Sequence, residues 1–243
     1  MINEKTNYIP TVESDIFERD TESKFALVEL SPEDIAEMSE FRGAAELRAN
    51  TYMRSGYIKE SELNDDGTEL DPNDKRSAHF VLFERTAVDS LARVVGNMRL
   101  VIKGSEHDEP LPVEEFFPDY FQEQAPLQSA EVSRLISRHE DPVTQTMIKW
   151  PMFIAGYKYV EKNSNGPVYG LLTPGLTSQL IKHGVPLRTL QEARYIEEIN
   201  ATKQPVEIML PALGELIEAT GDYGIEASLG RVSYLNLHIT NKG

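Results

Sequence analysis

Cysteine is absent from the 243 residues. That excludes disulfides, zinc sites of the cysteine type and a thiol nucleophile. Histidine is scarce, with five scattered copies, so a His-rich metal site is not expected and no metal is assigned. No apolar run approaches the roughly 18 residues of a membrane span. The opening stretch, MINEKTNYIPTVESD, lacks the apolar segment of a secretory signal. A cytoplasmic chain without a transmembrane segment is the expectation. Positive charge is also short: 24 Lys and Arg stand against 40 Asp and Glu, a net charge of −16. Nucleic-acid binding needs a basic face and is not expected. There is no glycine-rich turn after the first strand, no P-loop and no G-x-S-x-G elbow, so dinucleotide, P-loop and α/β-hydrolase chemistry have no motif to stand on.

What is present is ordinary for a protein with a core: 40% hydrophobic and 26% charged residues. The reading is one domain over 23–220, a polar N-terminal arm over 1–22 and a tail over 221–243 that contains an edge strand. Residues 23–31 read as a strand. Ser31-Pro32-Glu33-Asp34 starts a helix whose apolar face is Ile35, Met38, Phe41, Ala45, Ala49 and Tyr52, ending near Gly56. An acid-rich loop fills 59–76. Strands follow at 78–86, 93–103 and 129–138, the third after an insertion over 104–128. A buried helix kinked at Pro151 is expected over 143–162, then a strand at 167–173, a helix at 174–183, strands at 188–201 and 204–210, and a short helix over 213–219. This order predicts an α/β arrangement around a mixed sheet.

Three charged residues sit in strand-like apolar contexts: Arg99 in GNMRLVI, and Glu131 and Arg134 in SAEVSRLI. Charges are rarely buried without partners, so these mark either a structural ion-pair network or a site. Strand faces alternate, so residues three apart point to opposite faces. A bulge that brings Glu131 and Arg134 to one side, near Arg99, is therefore predicted. Arg48 lies on the apolar edge of the first helix. It either snorkels to solvent or reaches a carboxylate, in the acid loop or on a substrate, and a pairing of Asp71 or Asp74 with Arg48 or Arg99 is predicted.

The series Arg48-x-x-x-Tyr52, Gly67-x-Glu69-x-Asp71-x-x-Asp74, Gly96-x-x-Arg99-Leu100 and Glu131-x-Ser133-Arg134-Leu135 resembles the acyl-homoserine-lactone synthases and the related N-acyl amino acid synthases. The likeness spans roughly residues 25–215, judged by motif order. It implies a GNAT-like fold, a mixed central sheet flanked by helices. It also implies an N-acyltransferase that moves a fatty acyl group from an acyl-carrier-protein or coenzyme A thioester to the amine of an amino acid or related small molecule. No bound cofactor is implied. Carried over residue by residue, the catalytic positions are Glu131, Arg99 and Arg134, and the substrate-binding positions are Arg48, Tyr52, Asp71, Asp74 and Ser133.

Two departures shape the expectation. Lactone synthases carry a Trp soon after the first helix, whereas the only Trp here is Trp150 and the local aromatic is Tyr57. That favours an amino acid over S-adenosylmethionine as acceptor. The loop after the fourth strand, SRHEDPVTQ, has no glycine to admit a pyrophosphate, which favours a carrier-protein donor. An acyl carrier protein is itself acidic, so docking needs a local basic patch. The candidates are Arg138, Lys149, Lys158 and Lys162, with Lys182 and Arg188 beside them. The alternatives are an autoinducer synthase using S-adenosylmethionine, and a catalytically silent GNAT-like module that binds an acyl ligand or a protein.

Overall fold

The computed structural model describes residues 9–13, 17, 22–30, 39–87, 91–104, 109–121, 125–164, 166–229 and 232–236. In chain order the elements are β1 (Thr11–Glu13), β2 (Phe25–Leu30), α1 (Ser39–Ser55), β3 (Ser77–Arg85), β4 (Leu91–Ile102), α2 (Pro112–Phe116), β5 (Ala130–Ser137) and α3 (Pro142–Met147). Then follow α4 (Lys149–Asn163), β6 (Val168–Leu172), α5 (Pro174–Lys182), β7 (Leu187–Thr189), β8 (Arg194–Ile196), β9 (Ala201–Ile208), α6 (Leu210–Leu229) and β10 (Val232–Asn236). The fold is α/β, with mixed strand pairing and flanking helices. Two compact units interleave along the chain: Met1–Arg99, Arg134–Ala155 and Tyr223–Gly243 form the first, and Leu100–Ser133 and Gly156–Asp222 the second.

In the first unit the strand order is β10-β2-β3-β4. β2 and β3 run antiparallel from Phe25↔Glu84 to Leu30↔His79, and β10 lies parallel to β2. Thr11–Glu13, inside the stretch read as a loose arm, pairs antiparallel with β4 at Leu91–Arg93. The core is made by Phe41, Ala44 and Leu47 of α1 against Ala26, Val28, Leu30, Val81, Phe83 and Val94. Each of the Phe, Leu and Val side chains among them contributes about 1.5–3 kcal/mol through burial. α1 ends as expected at Gly56, whose φ of 71° suits glycine. The expected helix start at Ser31, with Ile35 and Met38, lies outside the described residues.

In the second unit β5 runs parallel to β6 from Ala130↔Val168 to Val132↔Gly170, where the pairing stops although β6 continues to Leu172. β6, β7 and β8 all pair antiparallel with β9. Val101, Leu111, Val113, Ala125 and Tyr169 form its core, with Phe121, Leu171 and Leu190 packed on it.

Three element boundaries differ from the sequence reading. The helix expected over 143–162 is two helices, α3 and α4, broken at Ile148. Pro151, in the first turn of α4, cannot donate a backbone N–H to the preceding turn and clashes with its carbonyl, so the break falls before it rather than at it. The strand expected over 188–201 is β7 and β8. Between Thr189, opposite Val206, and Arg194, opposite Lys203, the chain spends more residues than β9 does, and the excess leaves the ladder. The short helix over 213–219 is the twenty-residue α6, which continues through Gly221 and Gly224. The expected edge strand exists as β10, ending at Asn236. Leu237 and Ile239 lie outside the described residues.

Candidate functional site

The acid-rich loop is built by local hydrogen bonds before it meets any arginine. Asp66 accepts from the Thr68 backbone and hydroxyl at 3.2 and 2.6 Å, and Gly67 turns at φ 79°. The Glu69 N–H then donates to the Ala45 carbonyl, 3.3 Å away, which ties the loop to α1 one turn before Arg48. Asp71 opens a 3₁₀ turn over Pro72–Arg76. The Asn73 N–H donates to Asp71 and the Asp71 N–H donates back to Asp74, both at 2.8 Å. The Asp-Pro-Asn-Asp spacing is thus a capping box with proline at the first turn position.

Three arginines of the first unit meet these acids. Arg48, fully buried on α1, donates Nε–H to Glu69 at 2.6 Å and forks onto both oxygens of Asp74 at 2.8 and 2.9 Å. Arg99, buried on β4, donates Nη1 to Asp71 at 2.7 Å and to Asp74 at 2.9 Å. Arg134, on β5, donates Nη2 to Glu69 at 2.7 Å and to Asp71 at 2.6 Å. Its guanidinium also lies 5.2 Å from the Tyr52 ring, a cation–π contact, and Tyr52 leans on Tyr57 at 6.0 Å. The expected pairing of Asp71 or Asp74 with Arg48 or Arg99 is present, and Glu69, not singled out as a site residue in the sequence, joins it.

The network is graded in depth. Arg48, Arg99 and Asp74 are buried, whereas the side chains of Arg134 and Asp71 remain 26% and 22% exposed. Three acids balance three guanidinium groups. Burial alone would raise the Asp74 pKa, but the Arg48 fork and Arg99 hold its carboxyl far below the usual range. Asp71 is lowered against the same burial cost by Arg99 and Arg134. Burial works against charge on Arg134, yet Tyr52, Glu69 and Asp71 drive its pKa well up. His79, wholly buried in β3, goes the other way: desolvation, with Arg48 and Arg99 nearby, takes it down to about 3 despite Asp74. It is a neutral ring at neutral pH, 3.3 Å from the Asp74 carbonyl and edge-on to Phe41.

Arg134 carries a φ of 54°, a left-handed conformation that a non-glycine residue adopts at a cost. That is the local distortion expected in this strand. It places the Arg134 side chain in the network with Arg99. Glu131 belongs to the second unit, where its Oε2 accepts the Val113 N–H at 2.7 Å. Beside it in sequence Ser133 is half-buried. The second unit has a further buried ion pair that sequence reading missed. Lys103 donates to both oxygens of Glu114 at 2.9 and 3.0 Å, and Glu114 also accepts the Leu111 and Ala125 N–H groups at 2.7 Å. Of the docking candidates, Arg138 and Lys149 are half-buried, the latter with its pKa lowered by desolvation, and Lys158 and Lys162 are exposed on α4.

The model of the N-acyl amino acid synthase FeeM family matches residues 43–166. No curated protein matches by sequence. Among solved structures, the CoA-dependent acyl-homoserine lactone synthase BjaI matches at a TM-score of 0.60 and 16% identity, over 88% of this chain and 95% of BjaI. The AHL synthase LasI matches at 0.56 and 16% identity, over 77% of this chain and 91% of LasI. FeeM, an N-acyl amino acid synthase from uncultured soil microbes, matches at 0.51 and 16% identity, over 77% and 92%. At these identities the three share the fold with this chain. The family match covers Arg48, the acid loop, Arg99, Glu131 and Arg134, and on it the chain belongs to the N-acyl amino acid synthase FeeM family and is an amide-forming acyltransferase.

Proposed function

We propose that the protein joins a fatty acyl group, carried as a thioester, to the amine of an amino acid in the cytoplasm. The observation that carries this reading is the family match across the Arg48, acid-loop, Arg99 and Glu131–Arg134 motifs. The amine nitrogen attacks the thioester carbonyl carbon, a C–N bond forms, the C–S bond breaks, and the thiol leaves with a proton. Glu131 is the proton acceptor, its carboxylate oriented by the Val113 N–H. Arg134, at the open end of the network, takes the acceptor's carboxylate, and Asp71 is the partner it exchanges. Arg99 and Arg48 act through Asp71, Asp74 and Glu69 rather than on substrate. Tyr52 shields the Arg134 guanidinium from water, and Ser133 is a further substrate-binding candidate.

The donor is a carrier-protein thioester. Support comes from the end of β5, where the short helix α3 is capped by its own sequence. Asp141 accepts from the Thr144 N–H at 2.7 Å and its hydroxyl at 2.6 Å, and Pro142 has no N–H. A carboxylate already sits where a pyrophosphate would need backbone donors. Lys158 and Lys162, four apart on α4, are the proposed docking residues for the acidic carrier, with Arg138 and Lys149 as further candidates.

The test is incubation of purified protein with long-chain acyl carrier protein or acyl-CoA, an amino acid mixture, and separately S-adenosylmethionine, read by mass spectrometry. An N-acyl amino acid, formed faster from the carrier protein, is the expected result. A lactone product transfers the protein to autoinducer synthesis, and acyl-ligand retention without turnover sinks the enzyme reading. Lys158→Glu with Lys162→Glu is expected to raise KM for the carrier protein, more so at low salt, and to leave a small acyl thioester unaffected.

A further inference from the structure

Arg134 is held at both ends. At its guanidinium, Nη2 bridges Glu69 and Asp71. At its backbone, the carbonyl accepts Nδ2–H of Asn97 at 3.1 Å. Asn97 is fully buried on β4, two residues before Arg99 and on the same face by strand alternation. Its amide orientation is fixed by chemistry, since only the nitrogen can donate to a carbonyl. A left-handed φ at a non-glycine residue persists only where its surroundings over-determine it. The Asn97 hydrogen bond is such a constraint, and it acts on the backbone where the acids act on the guanidinium.

Two buried polar atoms at this kink have no hydrogen-bond partner among the described residues: Arg134 Nε and Asn97 Oδ1. An unpaired buried group is costly, so the kink is a strained spot that its surroundings must hold. The Arg134 side chain as a whole remains 26% exposed, and a guanidinium receives a carboxylate through two parallel bonds. We propose that Asn97 is a positioning residue for acceptor binding: by fixing the Arg134 carbonyl in its left-handed turn, it aims the guanidinium at the carboxylate of the amino acid. This rests on the acceptor role given to Arg134 above, and it adds a residue that lies outside the recognised charged motifs.

The test is a double-mutant cycle. Asn97→Asp preserves the shape and removes the donor, Asn97→Leu removes both amide atoms, and each is made alone and together with Arg134→Gln. The readouts are KM for the amino acid, KM for the acyl thioester, kcat and the melting temperature. Both Asn97 variants are expected to raise KM for the amino acid about tenfold, the size of one lost hydrogen bond to the kink. KM for the thioester stays within about twofold, because the uniform effect of a folding defect is not expected. In the Arg134→Gln background the Asn97 effect disappears, since a residue acting through another has nothing left to act on. Equal rises in both KM values, or an Asn97 effect undiminished without Arg134, overturn the proposal. If the wild-type protein forms no amide, the acyl-transfer reading fails. Calorimetric titration of the amino acid into the same variants then still decides on Asn97: weaker binding that depends on Arg134 supports it, and unchanged binding overturns it.

Discussion

In the first unit Glu69, Asp71 and Asp74 meet three guanidinium groups drawn from α1, β4 and β5. In the second, Glu114 and Glu131 meet one ammonium and the backbone N–H groups of Leu111, Val113 and Ala125. The difference is one of exchangeability. A carboxylate bound to a side chain can give that partner up to a ligand and keep its other bonds. A carboxylate bound to backbone amides fixes the path of the chain. Asp71 and Asp74 accept one local N–H each, and their remaining partners are side chains, whereas Glu114 ties down the backbone of Leu111 and Ala125, two members of a core.

The sharpest way to break this contrast is to remove the deepest arginine. Arg48→Met leaves Asp74 without its fork and Glu69 with Arg134 alone, both acids buried. Loss of one member of a buried pair costs about 3–5 kcal/mol, and chemical denaturation reads it directly. Arg48→Lys restores charge but not the three-bond geometry and recovers only part. In the second unit Lys103→Met leaves Glu114 with two backbone donors, so the expected cost is smaller, about 2 kcal/mol. A Lys103→Met loss that matches or exceeds that of Arg48→Met means that backbone donors do not substitute for charge, and the comparison fails.

Which of these charges were visible beforehand follows from their context. Arg99, Glu131 and Arg134 announce themselves as charges inside apolar strand sequence, and Asp71 and Asp74 only through the family resemblance. Glu69 hides among the many acids of a loop that reads as solvated, and only the tie of its backbone to Ala45 turns it inward. His79, Asn97 and Lys103 carry the signal that exposed Arg99, a polar residue within a run such as AHFVLF, but a lone neutral side chain or a strand-end lysine reads equally well as satisfied or snorkelling. The strand and helix order was legible from periodicity. The break at Ile148 and the length of α6 were not, because a proline reads alike as a kink and as a first-turn residue, and glycines inside a helix are a local penalty that tertiary packing outweighs.

The smallest expected effect separates the two units by pH. His79 has a folded-state pKa of about 3 against an ordinary 6.5. Between those values the unfolded chain holds a proton that the native protein does not, so stability rises with pH. The contribution is fully present above pH 6.5 and is lost progressively as pH falls toward 3, at a limiting slope of about 1.4 kcal/mol per pH unit. Asp71 and Asp74 are lowered as well, but their share is lost only below the ordinary carboxylate range, so it does not overlap the upper part of this window. From pH 6.5 to 5.5 the wild-type protein should therefore lose about 1 kcal/mol through His79. Urea unfolding at several pH values across that interval measures it. His79→Gln keeps a polar side chain of similar reach but cannot titrate, so its profile should be flatter by that amount whatever its absolute stability. Parallel profiles for the two proteins would mean that His79 titrates alike in both states, and that burial beside Arg48 and Arg99 does not impose the neutral ring.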